Sequence, residues 1–295
     1  MSYFGGAQSD GRRTGLNPRL IGALLIAVVG IAMYLFNTEE NPVTGEKQRV
    51  AMSAEQEMAL GLEAAPQMAS QMGGAVDPAR DPQARLVEQV GRALVQKSAA
   101  SESPYAGNFN FYLLDDRKTI NAFALPGGQI FITRALLDKL ENEAQLAGVL
   151  GHEIGHVINR HAAEHMATGQ LGQLLTLAVG VGASDRDDGG RSAQMVAAMV
   201  NSMTQMKFSR SDESESDQYG LRYMAAAGYD PSAMLDVMRV LEEASQGNRQ
   251  PEFLATHPQP ATRFEEIKAL LAQDYPDGIP STLTKGRSLR SLGSG

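Results

Sequence analysis

Four of the five histidines in this 295-residue chain fall in one stretch, VLGHEIGHVINRHAAEHM, residues 149–166. Within it, His152, Glu153 and His156 form the pattern H-E-x-x-H. On a helix, residues four apart differ in direction by about 40°, so both imidazoles project from one face, a turn apart. That spacing lets two ring nitrogens reach one zinc ion at about 2.0–2.1 Å. Glu153 stands beside them, where a carboxylate can take a proton from water and pass it to a leaving amine. Zinc lowers the pKa of water enough for attack near neutral pH. Gly155 costs about 1 kcal/mol relative to Ala in a helix interior, so close packing beneath the site is expected to offset it.

His161 and His165 fall opposite the first pair if one helix of about 100° per residue continues through them, and they read as a solvated face. The arrangement H-E-x-x-H-x-x-G-x-x-H needs Gly at 159 and His at 162, where this chain has Asn159 and Ala162. A third ligand must therefore come from elsewhere, since catalytic zinc keeps three protein ligands and one open position. The acidic run SRSDESESDQYG supplies candidates. Glu213 and Asp217 are four apart and share a helix face, while Glu215 points away. By geometry alone Glu213, Asp217 or Asp212 could serve, and acidic residues also favour the first turn of any helix.

These side chains need a scaffold. Ser53 with Gln56 makes a capping box that opens a helix, and QARLVEQVGRALVQKSA forms a second with Leu86, Val90, Leu94 and Val95 on one face. FNFYLLDD alternates as a strand. NAFALPGGQIFIT reads as two strands around the turn Pro126-Gly127-Gly128. Asn142 caps one long helix running through residue 166. The apolar stretch 171–183 is too short to span a membrane alone and reads as a buried or membrane-facing helix. A Met-rich helix over 194–206 follows, then a helix from the acidic run to Gly228. Asp230-Pro231 supplies an N-cap and first-turn proline for the next, and THPQPATRFEEIKALL is a loop entering a last helix. The expected fold class is α+β, mainly helical, with a small sheet before the metal helix.

Composition narrows the function. A net charge of −8 disfavours a nucleic-acid partner. The chain has no cysteine, which excludes disulfides, Cys-zinc sites and a Cys nucleophile. Residues 20–36, LIGALLIAVVGIAMYLF, carry no charge, with Arg12, Arg13 and Arg19 before them and Glu39 and Glu40 after. About 20 apolar residues span a bilayer, so this is a short transmembrane anchor, with the N-terminus cytoplasmic and the remainder extracytoplasmic. A cleaved signal peptide has a shorter apolar core and a small-x-small site, which MYLFNTEENP lacks. The expected organisation is a disordered N-terminus at 1–19, an anchor at 20–36, a linker at 37–50, a catalytic domain at 51–273 and a loose tail at 274–295. Oligomeric state is not legible.

GHEIGHVINRH followed by FSRSDESESDQYGL resembles the membrane-associated zinc metallopeptidases of the HtpX and CAAX prenyl protease type. These gluzincins include BepA-like periplasmic and Oma-like mitochondrial peptidases. NAFALPGGQIFITRALL and THPQPATRFEEI extend the likeness over about residues 40–273. The resemblance implies a gluzincin fold and one zinc ion per chain. It selects Glu213 as third ligand from an E-x-x-A-D element, read here as Glu213 to Asp217 with Ser216 at the usual Ala. Asp217 then orients a metal-bound His. His257 either fills the open zinc position in a resting state or hydrogen-bonds the developing oxyanion, which Arg263 also supports. Asn121, Ala122, Phe123 and Ala124 become the edge that holds an extended peptide as an added strand. The implied function is a zinc endopeptidase acting on misfolded or misassembled membrane or envelope proteins, in the bacterial periplasm. A zinc-binding, chaperone-like module with little proteolysis is the alternative.

Overall fold

The computed structural model describes residues 18–50, 52–179, 206–246, 251–258 and 260–289. Helix α1 (Pro18–Phe36) leads into a hairpin of β1 (Thr38–Glu40) and β2 (Lys47–Arg49). Helices α2 (Ala54–Gln71) and α3 (Pro82–Gln96) follow, with a 3-10 turn at Ala99–Glu102. Next come strands β3 (Asn110–Leu114), β4 (Ala122–Leu125) and β5 (Gln129–Thr133) and the short α4 (Arg134–Leu137). Then run α5 (Glu143–Ile158), α6 (His161–Val179), α7 (Arg210–Ala227), α8 (Ala233–Ser245), α9 (Glu252–Thr256) and α10 (Pro260–Asp274). The architecture is mainly helical with two small sheets.

Every residue of α5 is buried, which makes it the axis of the fold. Helices α3, α7 and α8 pack around it, and β4 lies along another side. The amphipathic pattern of α3 explains its place: Leu86, Val87, Val90, Leu94 and Val95 are buried in the main core, each worth about 1.5–3 kcal/mol when fully removed from water. Strand order is β3-β5-β4, with β3 parallel and β4 antiparallel to β5. Gly127 and Gly128 take positive φ in the β4–β5 turn, as that tight reversal demands. Among the described residues, β4 therefore has a strand neighbour on one side only.

Ser53 forms its capping box with Gln56, Asn142 caps α5, and Gly228 closes α7 in the left-handed region, each as the sequence predicts. Several elements differ. The single helix expected over 142–166 is broken into α5 and α6. Asn159 caps α5, its side-chain amide donating to the Gly155 carbonyl, and Arg160 follows at φ 54°. That left-handed residue is held by its guanidinium, which donates to Glu57 (2.9 Å) and Glu39 (2.6 Å). Helix α8 starts two residues later than Asp230-Pro231 suggests, because the Asp230 carboxylate accepts from the Ser232 N–H and hydroxyl in a turn.

The linker at 37–50 is a structured hairpin. Asn41 donates to the Ile158 carbonyl (2.6 Å) and Gln48 to the Asn159 carbonyl, so the hairpin satisfies carbonyls that the end of α5 leaves open. The segment expected as a loose tail is docked as far as it is described. Thr284 bridges Tyr229, Ser288 bridges Asn142, Arg287 pairs with Glu143, and Leu289 is buried. These partners are far away in sequence, so a polar Gly/Ser-rich segment gave no sign of them. Among the described residues no helix is long and apolar enough to cross a membrane. Helix α1, with side chains described from Ile21, nevertheless exposes Leu24, Leu25, Val28, Met33 and Phe36, and it packs against α6. The Met-rich stretch lies outside the described residues except for Met206.

Candidate active site

Helices α5 and α7 bring the catalytic candidates together because their backbones nearly touch. A Cβ at Gly155 would lie 2.9 Å from the Ser216 Cα and carbonyl oxygen, and one at Gly151 would lie 3.2 Å from the Gly220 carbonyl oxygen. Gly155 therefore has the packing reason its propensity cost demands. Ser216 is fully buried at this crossing, which accounts for a small residue there. One turn before Ser216, Glu213 reaches the histidines of α5.

His152, Glu153, His156, Glu213 and His257 are each at most 3% exposed. His152 Nε2 lies 3.0 Å from His156 Nε2 and 3.6 Å from Glu213 Oε2, and His156 Nε2 lies 3.5 Å from Glu213 Oε1. His257, capping the C-terminus of α9, puts Nδ1 at 2.9 Å from Glu213 Oε1 and 3.3 Å from His152 Nε2. One donor atom from each of His152, His156, Glu213 and His257 lies within 4.8 Å of the others. Ligand atoms around a tetrahedral zinc at about 2.05 Å sit about 3.3 Å apart, so this donor set fits that ion. The buried Glu153 Oε1 has no hydrogen-bond partner, an orphaned acceptor beside the donor set.

Charge is arranged to match. Burial alone would raise the Glu213 carboxyl, but His257 and Arg263 bring it well below the usual range. It is held as a carboxylate. Burial lowers His156 far below an ordinary imidazole, the neutral form a metal requires. Burial raises Glu153 despite the opposing His257 and His152, in the direction a general base and acid needs. For His257 burial lowers the pKa, but Glu213 and Glu153 outweigh it and the net shift is upward.

Asp217 accepts from His152, Nδ1 to Oδ1 at 2.9 Å. Arg263 grips Asp217 with two hydrogen bonds of 2.7 and 2.6 Å and lies 2.6 Å from Glu213 Oε2 through Nη1. The structure thus brings Arg263 to the two carboxylates. Ala122, Phe123 and Ala124 lie on the one-sided strand β4, with Asn121 just before it. A cavity between β4 and α5 is lined by Leu125, Glu153, His156, Val157, Phe208 and Glu57.

Three participants escape sequence reasoning. His161 is 2% exposed instead of solvated, because the break at Arg160 turns it back toward His156. His165 bonds Asp212 at 2.8 Å. Phe208 lays its ring against His156, centroids 4.0 Å apart. Asn159 was the available signal, since Asn commonly ends helices; nothing local marks Phe208.

The model of peptidase family M48 matches residues 81–271. The beta-barrel assembly-enhancing protease of Escherichia coli is 30% identical over 286 residues, covering 94% of this chain and 57% of that protein. The mitochondrial metalloendopeptidase OMA1 of Schizosaccharomyces pombe is 28% identical over 264 residues, covering 87% of this chain and 74% of the relative. The chain spans little more than half the length of the bacterial relative.

Proposed function

The chain belongs to peptidase family M48, and on that premise we propose that it is a zinc-dependent endopeptidase cleaving extended polypeptides. The observation that carries the reading is the buried set of His152, His156, Glu213 and His257 with Glu153 beside it. His152, His156 and Glu213 would hold the ion, and His257 stands where it could serve as a further ligand. When bound, zinc supplies Lewis acidity toward the scissile carbonyl and toward water. Glu153 accepts a proton from water and delivers it to the leaving nitrogen. Asp217 fixes the His152 ring through Nδ1. Arg263 acts through Glu213 and Asp217 by holding both carboxylates in place. The side of β4 without a strand neighbour, from Asn121 to Ala124, is the edge we assign to the substrate by backbone pairing, which demands little of its sequence; these residues are buried in the structure, so pairing requires what covers them to move.

The substrates we assign are misfolded or misassembled membrane and envelope proteins, in keeping with the name of the bacterial relative. The uncharged stretch 20–36 is assigned as a single-pass anchor; at about 1.5 Å per residue it is at the short end of what spans a bilayer, and α1 as described does not by itself reach that length and apolarity. By the positive-inside rule, the arginines before it support a cytoplasmic N-terminus and an extracytoplasmic catalytic domain, which we assign to a bacterial periplasm. The test compares wild type with Glu153→Gln on denatured protein substrate. Cleavage by the first only, with zinc retained by both, is expected. No cleavage by either, with zinc retained, would instead favour a chaperone-like module.

A further inference from the structure

The two imidazoles of α5 are supported differently. His152 Nδ1 meets the Asp217 carboxylate directly. His156 Nδ1 meets no carboxylate; it lies 2.9 Å from Nδ1 of His161, whose Nε2 lies 3.1 Å from Glu215 Oε2. We propose that His161 and Glu215 form a relay that orients His156 and raises its basicity, making His161 a positioning residue for zinc binding. This rests on the zinc reading above.

One assignment of hydrogens satisfies both contacts of this relay. Glu215 accepts from His161 Nε2–H, which leaves His161 Nδ1 bare. That nitrogen accepts from His156 Nδ1–H, which leaves His156 Nε2 bare and facing His152 and Glu213. If His161 carried its hydrogen on Nδ1 instead, His156 would have to carry its own on Nε2 and could not bind a metal through it. Glu215 therefore selects the competent tautomer of a ligand it never touches. The partner of a metal-bound imidazole is ordinarily a carboxylate, a backbone carbonyl or water; here a second imidazole stands between.

The position of His161 is built. Arg160 adopts a left-handed conformation, uncommon for a residue with a side chain, and this turn brings a residue five beyond His156 back to it. Three protein groups hold that arginine: Glu57, Glu39 and the Met52 carbonyl. The Ser216 hydroxyl stands 3.4 Å from His161 Nδ1, and Phe208 packs beside His156 and His161.

The test measures zinc dissociation constants by chelator competition on the full chain, with the thermal midpoint of each zinc-free variant. His161→Leu removes the relay and is expected to weaken zinc binding about 10–100-fold, the usual effect of losing such a partner. His161→Asn keeps an acceptor oxygen where Nδ1 stands and is expected to recover most of the affinity. Glu215→Gln, which keeps an acceptor but loses its charge, is expected to fall between wild type and His161→Leu. A merely structural role would lower the zinc-free midpoint without separating Asn from Leu. The relay is overturned if His161→Leu binds zinc like wild type, or if His161→Asn is as weak as His161→Leu. Should His161→Leu fail to fold, Glu215→Gln decides, and wild-type affinity there overturns the relay. Wild type without stoichiometric zinc would overturn the enzyme reading as well; zinc on wild type with unaltered variants overturns the relay alone.

Discussion

Replacing Gly155 by Ala tests whether the approach of α5 to α7 assembles the site. The added carbon would sit 2.9 Å from the Ser216 Cα and carbonyl oxygen, both backbone atoms. Carbon contacts settle at about 3.5–4.0 Å, so the helices must part locally by about 0.6–1.1 Å. Overpacking of this kind costs about 1–3 kcal/mol, and Ala recovers about 1 kcal/mol over Gly in a helix interior. The net loss of stability is thus about 0–2 kcal/mol, small enough to leave the protein folded. Function is less forgiving. Glu213 rides on α7 one turn away, and such constellations tolerate only about 0.5 Å of displacement. Zinc affinity is expected to fall by about 10–100-fold, a larger effect than the fold itself suffers. Gly148→Ala is the internal control, because its nearest neighbour is the flexible Met234 sulfur at an ordinary 3.4 Å. That variant is expected to gain up to about 1 kcal/mol with unchanged zinc affinity. Urea unfolding in chelator, with a parallel zinc titration, reads both quantities. If Gly155→Ala gains stability like Gly148→Ala and binds zinc like wild type, the close-approach argument is wrong.

Removing Arg263 strands two buried carboxylates, so Arg263→Met is expected to lower zinc-free stability by about 3–5 kcal/mol; a loss under about 1 kcal/mol would mean that Asp217 and Glu213 do not depend on it. Asp81 caps α3 and pairs with the buried Arg134 at 2.5 Å. Burial would raise its pKa, but the α3 backbone N–H groups and Arg134 bring it below the usual value. Its contribution is therefore complete above the unfolded value of about 3.9 and disappears as pH falls through the lower folded value. The difference in urea midpoint between wild type and Asp81→Asn should be constant from about pH 5 to 7, well above the unfolded value of about 3.9, and should vanish in stronger acid. A difference that persists there would refute the charge pairing.

Local signals carried much of this fold into the sequence. The capping box at Ser53, the cap at Asn142 and the left-handed Gly228 each act within a few residues, and each appears where its pattern places it. The H-E-x-x-H spacing also survives, since two side chains a turn apart need only the helix they stand on. The failures share a different cause. His161 faces inward because Arg160 is held by Glu57 and Glu39, partners more than one hundred residues earlier. The docking of residues 284–289 likewise depends on Asn142, Glu143 and Tyr229. Periodicity assumes an unbroken element and cannot register a break imposed from outside it. Arg263 shows a subtler limit: its proximity to the site was legible, but its grip on Asp217 and Glu213 depends on how α10 crosses α7.

The β1–β2 hairpin gives the molecule a mechanical joint. It follows directly from α1, where Arg49 stacks over Tyr34 at 5.6 Å, and its Asn41 and Gln48 grip the carbonyl end of α5. A tilt of the first helix would therefore arrive as torque on the rod that bears Glu153, through a lever only a few residues long.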